Sequence, residues 1–371
     1  MDTGLYIHIP FCKSKCHYCD FCSLAGTDSE LIDRYTDELC RRKKEWKKRC
    51  NGRSFDTVYL GGGTPTLLNS CQAARIINTA RECFDITSDA EITVECNPAT
   101  ASAERLADWR ALGVNRISIG VQSAVDTELK LLGRIHKFSD AVDTVNEARA
   151  VGIDNINIDL MIGIPDQTRD SLEYTLARYL ELNPNHISAY CLSIEEGTRF
   201  YEKRESLNVA DSDEVVQMYE TVSAILSANG YEHYEISNFA KSGFRSQHNT
   251  HTWQCREYLG LGVAAYSYFD GERFGNSRDI EAFLRGEDIV CESYRPDKSE
   301  RMAEYVMLGL RLREGIDTRE FERLFGVDFE SVYGERCNKF VRSGQLVREN
   351  GRVFFTRDGW LLSNAVLSEI L

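Results

Sequence analysis

Apolar positions along this chain switch repeatedly between two periods. Short, largely β-branched runs stand at GLYIHIP (4–10), DTVYL (56–60), EITVEC (91–96), RISIGV (116–121), NINIDLMIGI (155–164) and HISAYCL (186–192). Continuous runs of this kind predict strands buried on both faces. Between them the apolar positions recur at helical spacing: at 29–49, where Leu31, Tyr35, Leu39 and Trp46 share a face, then at 70–84, 102–112, 138–151, 168–182 and 211–229. Strands alternating with helices predict an α/β fold with a parallel sheet and crossover connections. The pattern alone leaves open whether that sheet is doubly wound or closes into a partial barrel.

Further along the pattern changes. Residues 230–280 are rich in Tyr, Gly, His and Asn without a strong period, and predict an irregular segment that folds over a site. From about 298 helical spacing returns at 299–313, 317–325 and 329–343. Two β runs then flank Glu349-Asn350-Gly351, predicting a hairpin, and a last helix follows at 358–370. The expected organisation is therefore 1–230, 231–297 and 298–371, the last a small α+β winged-helix-like domain. Winged helices often bind DNA, but an acidic chain without a basic recognition face points to packing or a protein partner.

Composition narrows the class. The chain has 371 residues, 42% hydrophobic and 27% charged, with a net charge of −14, which argues against generic attraction to nucleic acid. Its basic run, RRKKEWKKR (41–49), reads as the solvated C-terminus of a helix. No run of 18 apolar residues exists, so no transmembrane segment is expected, and MDTGLYIHIP lacks the features of a signal peptide. The expected compartment is the cytoplasm, where thirteen scattered cysteines would be mostly reduced thiols.

Against that background CKSKCHYCDFC (12–22) stands out. It follows the first strand. GGGTPT (61–66) follows the second, Glu95 ends the third, Gln122 follows the fourth, Asp159 lies in the fifth and Ser193 follows the sixth. The C-terminal ends of parallel strands form the active face of α/β folds, so these residues predict one composite site. Cys12, Cys16 and Cys19, spaced C-x3-C-x2-C, can aim three thiolates at one centre, either zinc or an iron-sulfur cluster. Three cysteines on one loop can hold a 4Fe-4S cube with one iron left open, whereas structural zinc wants four closed ligands.

CKSKCHYC, with Tyr18 before the third cysteine, resembles the signature of the radical S-adenosylmethionine (SAM) superfamily. LYIHIPFC, YLGGGTPT, ITVECNP, ISIGVQS, NIDLMIGIP and HNTHTW extend the resemblance to the oxygen-independent coproporphyrinogen III oxidase family, in particular its shorter HemW-type branch, the heme chaperones. The resemblance implies a partial (β/α)6 TIM-type barrel, with Cys12, Cys16 and Cys19 as the ligands of a 4Fe-4S cluster. It further implies that SAM is bound by Tyr6, Tyr18, Gly62, Gly63, Thr64, Glu95 and Gln122, and that Arg134 and Asp159 match positions at a second SAM-like molecule. The glycines fit such a role because they let backbone amides approach a ligand closely.

Two departures refine this. The oxidases proper carry a fourth cysteine one residue after the third and a long N-terminal extension, whereas here Cys22 comes one residue later and eleven residues precede Cys12. Both favour the chaperone branch and make Cys22 a supporting thiol. The branch's HNxxYW motif, associated with heme, reads His248-Asn249-Thr250-His251-Thr252-Trp253, with Thr252 in place of tyrosine. His248 is the expected axial ligand, with His251 and Cys255 as rivals and Arg245, Arg256, Arg273 and Arg278 as candidate partners of the propionates. The expected function is to bind heme and pass it to an acceptor protein, with a flavodoxin or ferredoxin as electron donor if SAM is cleaved. The alternative is radical oxidative decarboxylation of coproporphyrinogen III, and a third reading is a metal-stapled structural protein.

Overall fold

The computed structural model describes residues 3–26 and 28–371. Six parallel strands form its centre in chain order: β1 (Thr3–Ile9), β2 (Ser54–Gly62), β3 (Asp85–Cys96), β4 (Arg116–Gln122), β5 (Asn155–Ile162) and β6 (His186–Cys191). The crossovers carry α1 (Ser29–Trp46), α2 (Ser70–Cys83), α3 (Ala103–Ala111), α4 (Asp126–Leu131), α5 (Phe138–Ala150) and α6 (Arg169–Leu182), and α7 (Ser212–Ala228) follows β6. Leu5, Ile7, Leu60, Val94, Ile119, Ile158 and Ile187 are fully buried, as strands covered on both faces require.

Local chemistry starts the helices where the sequence indicates. The side chains of Asp28, Asn69, Ser102, Thr168 and Asp211 each accept an amide hydrogen from the first turn of the following helix. One expectation in this region is corrected. Lys43, in the middle of the basic run, is not solvated: it is fully buried and its Nζ donates to the Ile76 carbonyl at 2.7 Å. Helix α1 turns this position onto α2, and the long aliphatic stem of lysine fills the space between them.

The segment 231–297 is not the irregular cover expected of it. It contributes six short strands to the same twelve-stranded sheet. Strand β8 (Asn238–Ala240) pairs antiparallel with β6 and β7 (Glu232–Glu235) antiparallel with β8, extending one edge, while β9 (Tyr258–Leu261) pairs parallel with β1. Beyond β9, β10 (Tyr266–Phe269), β11 (Glu272–Asn276) and β12 (Val290–Tyr294) run antiparallel. Strands this short carry too few alternating positions to show a period, so pairing with existing sheet edges decides their structure. Helix α8 (Gln247–Trp253) carries the histidine motif between the two halves of this segment.

The C-terminal region forms a second core around Val306, Leu310, Phe321, Phe329, Val353 and Trp360. Helices α9 (Lys298–Gly309), α10 (Thr318–Phe325) and α11 (Glu335–Arg342) pack with β13 (Ile316–Asp317), β14 (Leu346–Glu349) and β15 (Arg352–Phe355), before two short helices at 357–361 and 363–370. Asn350 and Gly351 both take positive φ, 54° and 76°, the conformation of a tight hairpin turn. Among the described residues no helix is long and apolar enough to cross a membrane.

Candidate functional site

The C-terminal ends of β1 to β6 surround a cavity of about 330 Å³. The loop after β1 brings Cys12, Cys16, Tyr18 and Cys19 to it; β2 brings Gly62, Gly63 and Thr64; and the remaining strand ends bring Glu95, Gln122, Asp159 and Ser193. Arg134 reaches it from the loop after α4. The composite site expected at the strand ends is therefore a single space.

The glycine loop buttresses the cysteine loop. The amides of Gly63 and Thr64 donate to the carbonyls of Ile9 and Phe11 at 2.9 and 2.8 Å, which fixes the backbone just before Cys12. A Cβ on Gly63 would stand 2.7 Å from the Phe11 carbonyl oxygen, and one on Gly61 would stand 2.9 Å from the Glu95 carboxyl. Only a bare backbone fits there. The Thr64 hydroxyl donates to Cys12 Sγ at 3.6 Å, so the loop also touches a thiol directly.

Charge is held in the cavity by geometry rather than by solvent. Glu95 accepts from the Tyr59 hydroxyl and the Gly62 amide, each at 2.9 Å; burial nevertheless pushes its carboxyl up to about 7, with Asp159 adding to the rise. Burial likewise pushes Asp159 up to about 6, moderated by a hydrogen bond from Asn157 Nδ2 at 2.7 Å. Burial works against the charge on Arg134, but Tyr18 and Cys16 beside it outweigh that and raise its pKa. Gln122 adopts φ 76° where the β4–β5 register shifts, and its Oε1 is buried without a hydrogen-bond partner. A residue in the left-handed region with an unpaired buried acceptor is one of the strained positions of this cavity wall.

Cys12, Cys16 and Cys19 share one wall of this cavity. A four-iron cube holds its ligands further apart than one ion does, so three half-buried thiols on one cavity wall fit the cluster. Burial pushes the Cys12 thiol up and Cys19 to about 11, which a bound metal would reverse by taking the thiolates as ligands.

Several expected residues lie elsewhere. Tyr6 is not on the cavity wall; its hydroxyl donates to His8 Nδ1 at 2.9 Å and its ring stacks behind Tyr59 with centroids 6.2 Å apart. Cys22 is half-buried and faces the Arg278 carbonyl rather than the cavity. His248 lies beneath the cavity rather than on its wall. Its Nδ1 is 2.9 Å from the Thr57 hydroxyl, its ring stacks on Tyr59 at 5.2 Å, and a Cβ on Gly4 would stand 3.2 Å from it. Helix α8 is pinned there by Glu91, whose carboxylate accepts from the amides of Gln247 and His248. The imidazole thus sits beneath the cavity, against β1 and β2.

The candidate propionate partners are also engaged. Arg245 pairs with Glu232 and Glu314, Arg273 with Glu304, Arg278 with Asp20, and Arg256 reaches the His251 ring. His251 itself is 3.5 Å from Asp56, and burial pushes the Cys255 thiol up to about 12. The last residue of the motif behaves differently. Trp253 borders a separate cleft of about 380 Å³ between α8 and the C-terminal domain, with Met307, Leu308 and Arg311. The Arg311 guanidinium lies 4.2 Å from its ring centroid, and Trp253 Nε1 is buried without a hydrogen-bond partner.

Sequence reasoning missed Tyr59 and Tyr190, both on the cavity wall. Tyr59 was reachable, because it lies two residues before Gly61 and so shares its face of β2.

Comparison with known proteins matches residues 6–179 to the radical SAM superfamily and residues 297–362 to the HemN C-terminal domain. Relatives similar over almost their whole length include the heme chaperone HemW of Lactococcus lactis, 34% identical over 100% of this chain and 97% of that protein. The Escherichia coli heme chaperone HemW is 35% identical over 99% of this chain and 98% of its own. A radical S-adenosyl methionine domain-containing protein 1, mitochondrial, of Bos taurus is 37% identical over 87% of this chain and 71% of its own. Among solved structures, coproporphyrinogen III oxidase (HemN) of Escherichia coli superposes with a TM-score of 0.88 at 24% identity, covering 100% of this chain and 90% of that one, which establishes the likeness of fold.

Proposed function

This chain belongs to the HemW heme chaperone family of radical SAM proteins, and we propose that it binds heme and hands it to an acceptor protein, using a 4Fe-4S cluster and SAM held at the strand ends. The observation that carries the proposal is identity of about a third to heme chaperones along the full chain, through the C-terminal domain as well as the cysteine loop. Cys12, Cys16 and Cys19 would hold the cluster. When bound, it supplies one electron and an open iron position for the amino and carboxylate groups of SAM.

The rest is done by the chain's own groups. Glu95, kept partly ionised by the donors Tyr59 and Gly62, offers acceptor lone pairs to the hydroxyls or the amine of SAM. Gln122 has an unpaired Oε1 at the cavity wall, and Gly63, where a Cβ would strike the backbone of Ile9 and Phe11, lets the glycine loop hold the cysteine loop in place. Asp159 and Arg134 set opposite charges on the far wall. For heme, the cleft at Trp253, Met307 and Arg311 replaces His248 as the candidate position: it offers an aromatic face, a thioether and a cation around an apolar gap. A flavodoxin or ferredoxin would donate the electron if SAM is cleaved. The thirteen cysteines and acidic balance support a cytoplasmic protein that does not act on nucleic acid.

The experiment is an anaerobic heme titration of the reconstituted protein by absorption spectroscopy, beside His248→Ala and Met307→Ala. Saturation near one heme per chain, with the band altered in Met307→Ala but not in His248→Ala, is the expected result. Absence of saturable binding together with decarboxylation of coproporphyrinogen III would overturn the proposal.

A further inference from the structure

Arg134 presents an unusual arrangement. The guanidinium is half-buried in the cavity wall, yet its hydrogen bonds go to a sulfur and a carbonyl: Nη1 lies 3.5 Å from Cys16 Sγ, Nη2 bonds the Gly120 carbonyl, and the buried Nε has no partner. A cation half-withdrawn from water is best held beside a compensating charge. The sulfur of Cys16 is the anion it would meet once that thiol becomes a metal ligand, and Lys15 is the other cation bordering the cavity.

The contact is built rather than incidental, because the loop bearing Arg134 is docked onto the cysteine loop. His17, next to Cys16, donates its backbone amide to Leu132 O and bonds Leu131 O through Nδ1, both at 2.9 Å. Gly133, with φ 72°, lets the ring lie against the backbone, since a Cβ there would stand 2.7 Å from it. The Arg134 amide in turn closes on Leu129 O at 2.9 Å. On the other side Gly120 leaves room for the guanidinium, whose Nη2 would be 3.2 Å from any added Cβ. Four backbone positions thus converge to hold one cation on one sulfur.

We propose that Arg134 sets the reduction potential of the cluster held by Cys12, Cys16 and Cys19, through a charge-assisted hydrogen bond to the Cys16 sulfur. The proposal rests on the cluster reading above. Reduction adds one electron from a reduced carrier to the cluster; no bond breaks, and the guanidinium keeps its protons. Because the added charge is negative, a donor and positive charge on a ligand sulfur stabilise the reduced form more than the oxidised one and raise the potential. Arg134 is in this role a positioning residue, acting through Cys16.

The test is a mediated redox titration of the reconstituted full chain without SAM, followed by electron paramagnetic resonance, for the unaltered protein, Arg134→Gln and Arg134→Lys. At the midpoint of the unaltered protein, Arg134→Gln is expected to show a reduced-to-oxidised ratio lower by about tenfold, about 59 mV for a one-electron couple. Arg134→Lys, which keeps the charge, is expected to retain most of the potential. Equal midpoints at equal iron and sulfide content, or equal shifts in both variants, would overturn the proposal. If Arg134→Gln fails to load, Arg134→Met keeps the aliphatic stem while removing both donor and charge: a lowered midpoint supports the proposal and an unchanged one overturns it. Failure of the unaltered chain to take up iron and sulfide would instead overturn the cluster reading, and the proposal with it.

Discussion

Tyr59 donates its hydroxyl hydrogen to Glu95 Oε1 at 2.9 Å, across two neighbouring strands and inside the cavity. The same tyrosine stacks on His248 from the opposite side, so one ring joins the cavity to the floor of the sheet. Tyr59→Phe keeps the packing and removes the donor. Its expected effect is a loss of SAM affinity of about tenfold, the worth of one hydrogen bond to a charged group, measured by equilibrium dialysis with the cluster content held equal.

Glu95 titrates near neutrality, pushed up to about 7 by burial. Its acceptor strength depends on ionisation, so SAM affinity should rise as pH increases, by about tenfold between pH 6 and 8, and level off above. Glu95→Gln should bind more weakly and lose this dependence. A variant that keeps the slope would assign it to another group.

Gln122 holds φ 76° on the cavity wall, with its Oε1 unpaired. Glycine relaxes that backbone, so Gln122→Gly should gain about 1 kcal/mol in urea unfolding while losing SAM binding. Loss of both properties would mean that the side chain packs rather than binds.

Burial lowers the pKa of several imidazoles, and among them His248 and His136 are pushed down to about 3 and His233 to about 4. In the unfolded chain each takes a proton near its ordinary value of about 6.5. Their contribution is therefore intact above that pH and is lost as pH falls toward the folded values, by about 1.4 kcal/mol for each at one unit below. His248→Gln should shrink the stability difference between pH 7.5 and 5.5 by about that amount in urea titrations, whatever its effect on absolute stability.

Burial pushes Lys43 down to about 8, below its ordinary value of 10.5. A depressed lysine costs stability while charged, and the cost is relieved as pH rises from the folded value toward the unfolded one. Lys43→Met keeps the stem and removes the charge. It should raise the thermal midpoint at pH 7, worth about 1–3 kcal/mol, and flatten the rise above pH 8. A lower midpoint would show that the bond to the Ile76 carbonyl outweighs desolvation.

What the sequence by itself determined lies within short stretches of chain. The alternation of β-branched runs with helical spacing, the side chains that open the helices, the Asn350-Gly351 turn and the cysteine spacing each act through residues a few positions apart, so each was legible. The strand-end rule then placed Cys12, Gly62, Glu95, Gln122 and Asp159 in one site. Tertiary structure alone decided the long-range contacts. His248 meets Thr57 across 191 positions, Arg134 meets Cys16 across 118, and Lys43 meets Ile76 across 33. The strands of 231–297 exist because the edges of the central sheet offered unpaired backbone groups, which no local period announces. Burial and pairing are properties of the assembled sheet, and they set His248 beneath the cavity, turned an expected solvated lysine into core, and made Arg134 the neighbour of Cys16.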